Sequence, residues 1–130
     1  MTFFGYVFND VIETGSGRDV LWGRGGDDSI LGGLGDDTLG GGAGNDTLFG
    51  GDDADVFIFT SGEGNDVIYD FEEGSDMIQL SDLNYTVDYG PWGTMINYAD
   101  ATSIQIWDNT GIWASQTEAE AFVADHVFFA

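Results

Sequence analysis

Six aspartates recur at intervals of nine residues: Asp10, Asp19, Asp28, Asp37, Asp46 and Asp55. A carboxylate is a hard oxygen donor, and neither turn formation nor solubility asks for an acid at a strict period. A repeated cation site does. Other chemistries lack their parts. The chain has no Cys, and its one His, His126, stands near an apolar end and reads as structural. Neither H-E-x-x-H nor G-x-S-x-G occurs, so the usual zinc-hydrolase and serine-hydrolase constellations are missing. A carboxylate pair can serve acid–base catalysis, but no spacing singles one out. The reading is of a binding module, not an enzyme.

The elements that position these acids follow from the same frame. Blocks of nine from position 5 read GYVFNDVIE, TGSGRDVLW, GRGGDDSIL, GGLGDDTLG, GGAGNDTLF and GGDDADVFI. Column six is Asp throughout, and column eight is large and apolar: Ile12, Leu21, Ile30, Leu39, Leu48 and Phe57. Glycines in columns one, two and four allow a tight turn with carbonyls pointing inward. The first six residues are therefore expected to turn and the last three to form a minimal strand. Alternation in that strand points column eight in and columns seven and nine out. One apolar residue per block makes no core alone, but stacked coils build a continuous internal column. Two blocks make a coil, which sets Asp10, Asp28 and Asp46 on one edge and Asp19, Asp37 and Asp55 on the other. Coils about 4.8 Å apart bring like charges together unless a cation lies between them. Ca²⁺, with six to eight oxygens at roughly 2.3–2.6 Å, suits two carboxylates plus carbonyls better than the smaller, more hydrated Mg²⁺. For Asp27, Asp36 and Asp52, outside column six, a solvated acidic face or Asx-turns is the expectation.

The blocks resemble the RTX (repeats-in-toxin) nonapeptide G-G-x-G-x-D-x-U-x, best in GGLGDDTLG at 32–40 and GGAGNDTLF at 41–49. That resemblance implies an all-β, right-handed parallel β-roll with Ca²⁺ between successive turns. Carried onto this chain, it makes Asp19, Asp28, Asp37, Asp46 and Asp55 the side-chain ligands, with Asp10, Asp66 and Asp70 as further members. Carbonyls of Gly23, Gly26, Gly32, Gly35, Gly41, Gly44 and Gly50 complete the shells, and same-edge pairs give about four to six ions. Block 5–13 has Tyr6 and Phe8 where glycines belong and reads as a capping half-repeat. Arg24 stands at a column-two glycine position and Asp53 at a column-four one; of the two, Asp tolerates left-handed geometry better.

After a two-residue insertion, SGEGNDVIY at 61–69 repeats the block with Asp66 and Ile68 in columns six and eight. The segment DFEEGSDMIQL resembles the end of RTX rolls, where Asp70 and Asp76 either complete a last site or lie solvated on a plain hairpin. The roll is thus assigned to residues 1–90, packed as one domain with a C-terminal cap at 91–130. In the cap, TMINYADATSIQIW at 94–107 predicts two strands around a polar turn. Ser115 and Glu118 form a capping box for a short helix to about Asp125. Trp92, Trp107 and Trp113 are expected to fill the cap's core. Outward-facing Trp22, Leu31, Phe49 and Ile58 await either the cap or a partner. The ending DHVFFA resembles RTX termini read by type I secretion machinery and equally suits a final capping strand.

With 24 acidic residues against two basic ones, the formal net charge is −22. Nucleic acid and anionic membranes are poor partners for it. No segment reaches the length of a membrane span, and no cleavable signal heads the chain. The function read from sequence is a secreted, calcium-dependent folding module, free-standing or part of a larger protein. The alternative is a polysaccharide-binding accessory module similar to the R-modules of mannuronan epimerases.

Overall fold

The computed structural model describes residues 1–72, 75–81, 84–90, 93–100, 102–108 and 127–129. Among them are thirteen strands and no helix: β1 (Thr2–Phe4), β2 (Val11–Glu13), β3 (Val20–Gly25), β4 (Ser29–Leu34), β5 (Thr38–Ala43), β6 (Thr47–Asp52), β7 (Val56–Phe59), β8 (Asn65–Phe71), β9 (Met77–Leu80), β10 (Tyr85–Gly90), β11 (Gly93–Tyr98), β12 (Ser103–Asp108) and β13 (Val127–Phe129). The capping box at Ser115 and Glu118, the short helix, Trp92, Trp113 and His126 lie outside the described residues.

Each roll strand pairs, in parallel, with the strand two ahead. Val20 faces Thr38, Leu21 faces Leu39, and Ser29 faces Thr47. Two sheets result, ordered β1-β3-β5-β7-β9-β13 and β10-β11-β12-β8-β6-β4-β2. They form a β-solenoid of about four turns. Two blocks to the coil is what the sequence frame requires.

The strands are longer than the sequence frame suggests. β3 to β6 each run six residues, from column seven through column three. The glycines of columns one to three are therefore largely strand, and the turn shrinks to columns four to six. The reason lies in backbone pairing: Arg24 faces Gly42 and Gly33 faces Gly51, while the ladder skips column one at Gly23 and Gly41. Column two takes positive φ at Arg24 (81°), Gly33, Gly42 and Gly51, and Asp53 in column four has 79°. Both departures from glycine thus adopt the left-handed geometry. The Arg24 guanidinium lies 4.7 Å from the Phe4 ring centroid.

Column eight makes the core. Leu21, Ile30, Leu39, Leu48 and Phe57 are fully buried, and Ile68 and Ile78 continue the line. Burying each of these is worth about 1.5–3 kcal/mol, so the column offsets a small part of the backbone entropy lost on folding, about 1–2 kcal/mol per residue. Phe59, Phe71 and Leu80 fill the closing coil. Beyond it, β12 pairs in parallel with β8, and β11 and β10 continue as an antiparallel meander. β13 pairs in parallel with β9, so Val127–Phe129 supplies a capping strand.

Candidate metal centre

The column-six aspartates form two ladders, one along each edge of the roll. On one, the Asp10 N–H donates to Asp28 Oδ1 (2.8 Å), Asp28 to Asp46 (2.8 Å) and Asp46 to Asp66 (2.9 Å). On the other, Asp19 donates to Asp37 (2.8 Å), Asp37 to Asp55 (2.8 Å) and Asp55 to Asp76 (2.9 Å). Each carboxylate thus reaches back to the coil before it and is held there by one oxygen.

The other oxygen is different. Oδ2 of Asp28, Asp37, Asp46 and Asp55 is buried with no hydrogen-bond partner. A buried polar atom left unsatisfied carries a desolvation cost of about 1–3 kcal/mol, more when charged. Four of them in register need a common explanation. Each points at the column-one glycine of its own block. A Cβ built on Gly23 would meet Asp28 Oδ2 and lie 2.5 Å from the Gly41 carbonyl oxygen; on Gly32 it would meet Asp37 Oδ2 and lie 2.6 Å from that of Gly50. Gly41 and Gly50 stand the same way to Asp46 and Asp55. Gly23 and Gly32 are glycine because carboxylate and carbonyl oxygens converge where a side chain would begin, and Gly41 and Gly50 because the carboxylate itself stands there. These atoms are hard donors, and a divalent cation is what they fit.

Among the described residues, no three acidic or imidazole side chains converge on one point. A cation held here would have to draw part of its shell from the main chain, and the carbonyl positions allow it. One such carbonyl is engaged: Thr14 Oγ1, at column one of its block, donates to the Gly32 oxygen (2.5 Å). The Gly26 and Gly44 carbonyls abut the next coil's glycine, at Gly44 and Gly64, and the Gly35 backbone abuts Gly17.

Electrostatics follow the burial. Without metal, Asp55 and Asp66 are pushed up to about 8 and Asp46 and Asp76 to about 6. Desolvation is the leading cause, the bond from the preceding coil's N–H opposes it, and neighbouring carboxylates add to it. Asp28 and Asp37 rise for the same leading reason. Such groups either hold protons or await a cation.

At the margins the pattern changes. Asp10 Oδ2 accepts from the N–H of Tyr6 (2.6 Å), one of the residues that replace glycine in the first block. Asp70 places both oxygens on strand amides, those of Gly50 and Gly51 (2.9 Å each), while Asp76 takes the ladder position after Asp55. Asp27 and Asp36 are not simply solvated. Column five carries its own ladder: Asp27 N–H to Asn9 Oδ1 (2.8 Å), Asn45 to Asp27 (2.9 Å) and Asn65 to Asn45 (2.9 Å). Asp36 accepts from Ala54 N–H (3.2 Å) and pairs with Arg18 (2.6 Å), which holds its carboxyl below the usual range. Asn9, Asp27 and Asn45 at a spacing of 18, with Asn65 20 residues further on, were the signal for this second ladder. Trp107, expected in the cap's core, is 37% exposed because it takes the outward register of β12 beside Tyr69.

A family model described as the RTX calcium-binding nonapeptide repeat (4 copies) matches residues 4–39 and 38–68. Comparison with curated protein sequences returns no match. Among solved structures, the chain is similar to the AlgE6R3 subunit of the Azotobacter vinelandii mannuronan C5-epimerase, at 27% identity and TM-score 0.63, over 97% of this chain and 81% of that one. The AlgE6R2 subunit of the same enzyme matches at 25% identity and TM-score 0.69, over 100% of this chain and 93% of that one. The extracellular lipase LipA of Serratia marcescens shares the fold at 19% identity and TM-score 0.71; the match covers 99% of this chain and 21% of the lipase.

Proposed function

The chain belongs to the RTX calcium-binding nonapeptide repeat family, whose repeats bind several Ca²⁺ ions, and from that premise we propose that it is a non-catalytic module that folds when it binds extracellular Ca²⁺. The observation that carries this reading is the row of orphaned, buried Oδ2 atoms facing column-one glycines. Asp19, Asp28, Asp37, Asp46 and Asp55 hold the ions, with Asp10, Asp66, Asp70 and Asp76 at the ends and carbonyls of Gly23, Gly26, Gly32, Gly35, Gly41, Gly44 and Gly50 completing the shells. Bound Ca²⁺ neutralises charge that otherwise keeps the coils apart. At Asp28, Asp37, Asp46 and Asp55 the residues do the rest: Oδ1 fixes the carboxylate to the preceding coil, and Oδ2 is left for metal.

Binding free energy is then folding free energy. Extracellular calcium modules bind at roughly 10⁻⁴–10⁻³ M, so the chain stays open in a calcium-poor cytoplasm and folds after export by type I secretion. Circular dichroism during a calcium titration tests this. At pH 8 and above, β-structure is expected to be absent in EGTA and to appear with calcium; full β-structure in EGTA at that pH overturns it. In the same titration Asp37→Ala is expected to raise the calcium midpoint several-fold and Asp36→Ala to leave it nearly unchanged, since Asp36 is committed to Arg18 and Ala54.

A second reading, a polysaccharide-binding accessory module, is favoured by the likeness over nearly the whole chain to subunits of an enzyme named for mannuronan. Calorimetry against polysaccharides, with and without Ca²⁺, separates the two.

A further inference from the structure

We infer that the outer face of the sheet formed by β2, β4, β6, β8 and β12 is a binding surface for an uncharged, hydroxyl-rich polysaccharide, with Phe49, Tyr69 and Trp107 as its stacking row. This deepens the polysaccharide reading and rests on it. The three residues stand at outward positions of neighbouring strands. The Phe49 and Tyr69 centroids are 5.4 Å apart with planes 13° from parallel; those of Tyr69 and Trp107 are 6.5 Å apart at 6°. Both steps exceed the strand spacing of about 4.8 Å, so the rings slip past one another rather than eclipse. Tyr69 remains 47% exposed and Trp107 37%. The register between β8 and β12 shifts between Ile106 and Asp108, so two β8 residues, Tyr69 and Asp70, oppose Trp107. Such an irregularity re-aims a side chain.

The row does not end at Phe49. It runs into a shallow groove of about 210 Å³ lined by Val11, Ile12, Glu13, Ser29, Leu31 and Phe49. An apolar surface with a few polar groups beside it is the usual make-up of a ligand site. Charge selects the ligand. Glu13 is the only charged residue in the groove lining, and both arginines are committed to the other sheet's side: Arg18 to Asp36, Arg24 over Phe4. Uronate polymers meet repulsion and no cation here. An uncharged pyranose chain meets aromatic rings for its C–H faces, with Ser29 and Glu13 for its hydroxyls.

The test uses the calcium-saturated chain, with far-UV circular dichroism confirming the fold in every sample. Calorimetry is run against soluble β-glucan, xylan and chitin oligosaccharides, with alginate oligomers and polylysine as charged arms. At least one uncharged oligosaccharide is expected to bind, with Tyr69→Ala and Trp107→Ala each weakening it about tenfold and Tyr69→Phe retaining it. Amide NMR shifts of the unsubstituted protein on ligand addition are expected on β4, β6, β8 and β12, which decides the matter even if a variant misfolds. Binding of alginate alone leaves the polysaccharide reading standing and overturns this site. Binding of polylysine alone, no binding by a folded sample, or uncharged-glycan binding indifferent to both alanines overturns it too.

Discussion

At the residue scale, glycine serves two separate purposes in the same block. Columns two and four need, from the third block on, φ values that a side chain resists, yet Arg24 and Asp53 accept them, while Gly15 keeps an ordinary φ. Column one needs no special φ. At Gly23 and Gly32 it needs the absence of a Cβ, because Asp Oδ2 and a carbonyl of the next coil occupy that space. Gly23→Ala is therefore expected to cost about 2–3 kcal/mol or more at saturating calcium, as overpacking against backbone does. Gly15→Ala, where nothing lies within 4 Å, is expected to be near neutral or stabilising. Urea denaturation of the two variants checks the contrast, and equal effects would remove the cradle from the account. The raised carboxyls carry a second expectation, for the metal-free chain. Groups whose folded pKa lies above the unfolded value stabilise the fold below about pH 4. That stabilisation is lost as pH rises through about 6 for Asp46 and Asp76 and about 8 for Asp55 and Asp66. In EGTA, β-structure is expected to increase from pH 8 to pH 5, while the calcium midpoint moves upward as protons compete. Circular dichroism with no acid-induced gain in EGTA contradicts the assignment of these acids to the buried row.

At the element scale, the period of nine made much of the roll legible before any coordinates. Two columns fix which residues face the core, and two blocks per coil fix that Asp28 stacks on Asp46 and Asp37 on Asp55. What the period did not carry is what the backbone does between those columns. Glycine-rich stretches read as turns, yet here columns one to three extend each strand to six residues because the neighbouring coil supplies a ladder for them. The closing coil was also hidden. Insertions make the last ladder steps 20 and 21 residues long instead of 18, so Asp70 stands near the expected frame while Asp76 reaches the ladder. Trp107 was misplaced because an aromatic residue in a cap gives no hint of which face its strand presents. The column-five Asn/Asp ladder, legible only as a spacing of 18 that lengthens to 20 at its last step, joins coils without metal. Asn45→Ala deletes the acceptor for the Asn65 N–H and is expected to cost about 1 kcal/mol. Thermal denaturation at saturating calcium should show that loss, and calorimetry should show calcium affinity changed far less than by Asp37→Ala. A matching loss of affinity would place column five inside the metal site.

At the scale of the whole molecule, a net charge of −22 with two arginines makes the roll a structure that its own field opposes. Hydrophobic burial along column eight favours the compact state, but the two carboxylate ladders run beside it for the length of the roll. Screening by salt acts weakly on buried groups, so sodium ions at ordinary strength should not replace an ion seated among the Oδ2 atoms. Mg²⁺ carries the same charge as Ca²⁺ and separates charge from geometry. It demands a tight octahedron and sheds water reluctantly, whereas paired carboxylates with strand carbonyls offer a looser, larger shell. Small-angle X-ray scattering reads the outcome directly. A folded chain of this length has a radius of gyration of roughly 14 Å and an unfolded one roughly 37 Å. The chain in EGTA is expected near the larger value, with Ca²⁺ at millimolar concentration near the smaller, and with equal Mg²⁺ still expanded. Compaction by Mg²⁺ to the same radius would mean that charge neutralisation alone closes the roll and that the ordered oxygens beside the column-one glycines do not select the ion.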